Sequence, residues 1–186
     1  MKPTLIIAIM AAGVLVLGWQ VSSGDEDDRW EISQMWGRTP GVAPVASPQY
    51  IEECGSCHMA YPPGLLPARS WEKLMGGLDD HFGDNAELEP EALAALSDYL
   101  VKNSADEAPF RRSRKITHTL SNADAPLRIS QLPYIRREHR EIPDRLVSGN
   151  PDVSSLGNCT ACHRQADAGS FSEREILVPG YGHWDD

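Results

Sequence analysis

"IEECGSCHMA", residues 51–60, holds Cys54 and Cys57 three positions apart, with His58 directly behind the second thiol. "NCTACHRQ", residues 158–165, repeats the order as Cys159, Cys162 and His163. The two copies use all 4 cysteines of the chain, so whatever the pattern does accounts for every thiol present. Structural zinc also uses paired CxxC knuckles, but these normally lie within about 15–20 residues of each other. Here about a hundred residues separate them. Redox disulfides of the CxxC type accompany a βαβ pattern, and none is legible here. Covalent haem attachment fits the histidine as well as the thiols. Two thiols one helical turn apart project to the same side and reach the two vinyl groups on one haem edge. The next residue then faces the iron and supplies its proximal imidazole. Two covalently bound c-type haems are expected, one on Cys54 and Cys57 with His58, the other on Cys159 and Cys162 with His163.

The rest of the composition agrees with a cofactor-built fold. Only 7% of the 186 residues are aromatic, and 14 prolines and 15 glycines are spread along the chain, so its own core is thin. Such a chain needs a staple, and a large apolar plate tethered at two points is one. Lys2 precedes an uncharged run from Thr4 to Val21, followed by "SSGDEDD". A positive start and an apolar run mean export, as a signal peptide cleaved near Ser23 or as a retained anchor, whose length the run just reaches. Both place the remainder on the periplasmic side. Residues 25–110 carry 17 acids against 5 bases, whereas residues 111–186 carry 11 bases against 10 acids. The change falls at "NSADEAPFRRSRK" and marks a boundary. An acidic half suits docking to a basic partner, and the overall net charge of −10 opposes nucleic-acid binding. The organisation expected is an export segment over 1–23, a linker over 24–46, and haem domains over 47–108 and 109–186.

In the first domain, Ser47 and Pro48 predict a helix start, which puts the Cys54 motif at the end of a short helix. Trp71, Leu74, Met75 and Leu78 recur at helical spacing and predict an amphipathic helix closing near Gly83. A third helix is expected from Pro90 to Lys102, with Leu93, Leu96 and Leu100 on one face and Glu89 as a weak cap. This order resembles class I cytochrome c, where the sixth iron ligand is a methionine on the loop before the last helix. Here Met75 lies on the core stripe, and Met59 directly follows His58 and is on the wrong side. His81, in "LDDHFGDN", is the candidate sixth ligand.

From Arg111 onward periodicity fades, and prolines at 126, 133, 143, 151 and 179 interrupt any long element. His118, His139 and His183 are the candidates to face His163. His183 is near the chain end, and spacing does not separate His118 from His139. Arg136, Arg137 and Arg140 flank His139 as candidate partners for haem carboxylates.

"RREHREIP" followed by "NCTACHRQADAGSFSE" resembles the C-terminal half of the periplasmic dihaem cytochrome c family, and the resemblance covers about residues 48–180. It implies a mainly α protein, with a small class I-like helical domain followed by a haem domain of little regular secondary structure. It also implies bis-histidine coordination at both haems, hence His81 and His139. Members are associated with membrane b-type cytochromes and with a small c-type cytochrome that they reduce. The expectation is an exported electron carrier rather than an enzyme, taking single electrons from a quinol-linked membrane donor to a redox partner. The alternatives are a peroxidase-like or gas-reactive enzyme with one openable haem, or a fixed subunit of a membrane complex.

Overall fold

A computed structural model describes residues 40–184, all of them within one compact unit, Arg38–Asp186. The expected export segment, 1–23, and the linker up to residue 39 lie outside the described residues. Among the described residues no helix is long and apolar enough to cross a membrane.

Helix α1, Pro48–Gly55, starts as the sequence predicts: the Ser47 hydroxyl accepts the Tyr50 N–H at 3.2 Å, and Pro48 fills the first turn. The first two thiols sit at its end. Helix α2, Ala68–Met75, packs against helix α3, Pro90–Lys102. The second of these has the predicted boundaries, and Glu89 makes no side-chain cap. The expected run of α2 toward Gly83 does not occur. It stops at Gly76, whose N–H still bonds to the Glu72 carbonyl at 3.0 Å, and a single 3₁₀ turn follows at Leu78–Asp80. Two successive glycines, each about 1 kcal/mol worse than alanine inside a helix, make the break. Leu78 still reaches the core from the turn.

Beyond α3 the elements are short: α4, Arg111–Thr117; α5, Pro133–Glu138; α6, Cys159–Cys162; and an antiparallel pair β1, Leu177–Val178, and β2, Gly182–His183. The protein is mainly helical, and its C-terminal half has little regular structure, as expected. The main core joins both halves: Tyr50, Leu65, Leu66, Leu96 and Leu100 pack in one cluster with Ile116, Leu132 and Tyr134. A smaller cluster of Leu146, Ile176 and Val178 lies near the second cysteine pair. Residues 41–46, within the expected linker, are docked as a strap. Val42 is fully buried, and the N–H groups of Gly41 and Val42 bond to the Gly169 carbonyl at 2.9 and 3.3 Å. Gly169 has φ 77°, and a Cβ there would collide with the Val42 carbonyl, so only glycine fits.

Candidate haem sites

The break after α2 positions the first site. His81 follows the 3₁₀ turn and opens a tight turn in which its N–H bonds to the Asp84 carbonyl at 2.7 Å. The two central residues, Phe82 and Gly83, have φ 62° and 106°, the double positive-φ pattern of a hairpin turn. The Asp80 carboxylate accepts the Gly83 N–H at 3.0 Å and fixes the turn from behind. The imidazole of His81 thereby faces that of His58, with ring centroids 6.2 Å apart and planes inclined by 28°. Cys54, Cys57, His58 and His81 line one cavity of about 640 Å³, walled by Tyr50, Trp71, Met75 and Leu100.

The second site repeats the arrangement with different elements. The one-turn helix α6 presents Cys159 and Cys162, and His163 follows at its end. Across from it, His139 ends α5, its ring 6.0 Å from that of His163 and inclined by 75°. All four residues line a tighter cavity of about 100 Å³ with Leu146, Phe171 and Ile176. His118 is exposed at the end of α4, and His183 is exposed on β2; neither lines either of these two cavities. Of the two histidines that spacing did not separate, the structure brings His139 to His163.

Both pairs fit an iron between the rings. Metal–imidazole bonds of about 2 Å on each side hold two ring centroids roughly 6 Å apart. In each pair one ring is oriented by its own backbone. Nδ1 of His58 bonds to the Met59 carbonyl at 2.7 Å, and Nδ1 of His139 to the Ile135 carbonyl at 2.8 Å. With the proton held there, Nε2 is left as a lone-pair ligand. The opposing rings carry buried Nδ1 atoms, those of His81 and His163, with no acceptor among the described residues. A buried polar atom of this kind calls for a partner beyond the described residues, such as an ordered water. Burial pushes the His163 imidazole down to about 4, helped by His139 and the Arg112 cation, and lowers His81 with help from His58 and Arg128. Both rings are therefore held neutral, the form that binds metal. Burial also raises the thiols of Cys54 and Cys159 to about 11. The four cysteines are free thiols, and among the described residues no three metal-binding side chains cluster as a zinc knuckle requires.

The arginines expected to serve the second site do not reach it. Arg137 pairs with Glu138 at 3.3 Å and Arg140 with Glu141 at 3.1 Å; with Arg136 they are exposed and line neither cavity. Charge density near His139 pointed to them, but a turn that ends a helix sends neighbouring side chains in different directions. The cavities instead take Arg128, over the Phe82 ring at 3.8 Å, and Arg112. Tyr61 also escaped the sequence reading. Its ring lies 4.9 Å from His58, and its hydroxyl donates to the Gly157 carbonyl at 2.6 Å, tying the two motifs together. Ile129, Leu156 and Cys159 line both cavities.

The sequence profile of the dihaem cytochrome c family matches residues 50–171. A dihaem cytochrome c from Shewanella baltica OS155 of known X-ray structure is 40% identical, with a TM-score of 0.63 over 74% of this chain and 97% of that one. A dihaem cytochrome c from Rhodobacter sphaeroides is 41% identical, with a TM-score of 0.63 over 70% of this chain and 100% of that one. No curated protein sequence matches.

Proposed function

Since the chain belongs to the dihaem cytochrome c family, and so carries two covalently bound c-type haems for electron transfer, we propose that it is an exported carrier whose two irons are each closed by two histidines. His58 and His81 hold the first, His163 and His139 the second. The observation that carries this reading is the pair of imidazole separations, 6.2 and 6.0 Å, each set by backbone that is itself hydrogen-bonded. Each haem supplies a one-electron iron couple, and two nitrogen ligands leave no open position for substrate. The chain's own task is to hold both rings neutral, exclude water with Trp71, Met75, Leu146 and Ile176, and offer surfaces for partners.

The donor proposed is a quinol-linked membrane protein such as a b-type cytochrome, and the acceptor a small c-type cytochrome. Exposed Asp79, Asp80 and Asp84 lie within three residues of Phe82 and outnumber the Arg128 cation over its ring, an acidic loop beside the first cavity that suits a basic partner. The common wall of Ile129, Leu156 and Cys159 supports an internal relay between the haems. The apolar run over residues 4–21 either directs export or stays as an inner-membrane anchor.

The test is the optical spectrum of purified protein, oxidised and reduced, with and without carbon monoxide. Two low-spin haems, no methionine-to-iron charge-transfer band and no response to carbon monoxide are expected. A carbon monoxide shift in half the signal would mean an openable haem and an enzyme or gas-binding protein instead.

A further inference from the structure

Arg112 is the one arginine or lysine on the wall of the second cavity among the described residues. We propose that it anchors a carboxylate of the haem held there, and that its charge sets that haem's potential. The proposal rests on the placement of the second haem between His139 and His163.

Three observations carry it. The guanidinium is held in place entirely by neutral groups. Nη1 donates to the Tyr134 hydroxyl and Nη2 to the Phe171 carbonyl, both at 3.0 Å, and the cation lies 5.7 and 5.6 Å from the two ring centroids. Its place is also reserved by backbone. The Arg112 N–H bonds to the Gly41 carbonyl at 3.1 Å, and a Cβ on Gly41 would come within 2.8 Å of Nε. The charge, finally, has no counter-ion within ion-pairing distance among the described residues. Two of its five N–H groups are used, Nε is buried without an acceptor, and no described carboxylate makes an ion pair with it, whereas Arg69, Arg137 and Arg140 each have one. Glu138 and Glu173, on the same cavity wall, are exposed and make no ion pair with it; Glu138 reaches it only through the Tyr134 hydroxyl, with which it hydrogen-bonds.

A guanidinium partly withdrawn from water among aromatic rings is costly unless an anion meets it, and its planar fork matches a carboxylate. A haem brings two carboxylates. The position is right for one of them: Phe171, whose carbonyl holds Nη2, packs its ring 5.3 Å from that of His163. Neutralising a carboxylate there favours the reduced, less positive iron, so removing the cation lowers the potential.

Redox titration of the holoprotein tests this with R112Q and R112K, after the optical spectrum has shown both haems low-spin in each variant. That spectrum reports on the haem placement, and the potentials report on Arg112. R112Q should shift the one-electron equilibrium of one haem about tenfold toward the oxidised form, about 59 mV, and leave the other within error. R112K, which keeps the charge, should recover more than half of the shift. Unchanged potentials in a low-spin R112Q protein, or equal shifts in both variants, would overturn the proposal. If R112Q yields no holoprotein, the reduced-minus-oxidised infrared spectrum of protein carrying isotope-labelled arginine decides. Label-sensitive guanidinium bands that R112K removes support the anchor, and bands that persist in R112K refute it.

Discussion

Gly169 is where the strap meets the second haem loop, and replacing it by alanine has a cost that can be worked out contact by contact. Its φ of 77° is a conformation that costs an L-residue about 1–2 kcal/mol. A Cβ there also collides with the Val42 carbonyl, so the strap must lift. Lifting breaks the two bonds from Gly41 and Val42 N–H to the Gly169 carbonyl, at about 1 kcal/mol each. The total is about 3–4 kcal/mol, which for a chain of this size lowers the melting temperature by roughly 10 °C. Gly180 is the internal control. It has φ 72°, but a Cβ there would meet nothing within 4 Å, so G180A should incur the conformational cost alone, about 1–2 kcal/mol. Thermal melts of the two holoproteins followed by circular dichroism measure the difference. Equal melting temperatures for G169A and G180A would refute the reasoning, because the collision with the strap would then contribute nothing.

H81A should open the first haem, so that carbon monoxide shifts about half the Soret signal, while H118A and H183A leave the spectrum unresponsive. Neutralising Arg136, Arg137 and Arg140 together should leave both midpoint potentials unchanged in a redox titration, since none of them reaches a cavity. Y61F removes the donor to the Gly157 carbonyl and should lower stability by about 1–3 kcal/mol in a denaturant titration, with the optical spectrum unaltered. The Ser121 N–H and hydroxyl, with a smaller effect of the Arg69 charge, hold the Asp124 carboxyl below its ordinary value. The stability it contributes is present above that ordinary value of about 3.9 and is lost as pH falls through the depressed one. D124N should therefore show a shallower fall in melting temperature on acidification.

Local chemistry was legible in the sequence wherever one residue type does one thing. Ser47 and Pro48 start α1 because a hydroxyl and a missing N–H both suit a helix start. The leucine spacing from Pro90 to Lys102 marks α3 because one apolar stripe faces α2. The thiol spacing names its cofactor for the same reason. The end of α2 was misjudged because the stripe continues to Leu78 through a turn that is no longer α-helical, and the glycine pair outweighs the periodicity. In the second half the information lies in long-range contacts. His139 is distinguished from His118 by where α5 aims it, and Arg112 from Arg137 by a partner 59 residues away, the Phe171 carbonyl. Spacing along the chain carries no record of either.

The wall common to the two cavities couples them at one seam. Leu156 and Ile129 belong to both, and Cys159 supplies a thiol to one while lining the other. Perturbations in such a seam do not add, because residues that share neighbours couple. A change at Leu156 is read twice, once in each potential. Coupling of that kind is confined to the shared wall, since Arg112 lines the second cavity alone and Arg128 the first alone.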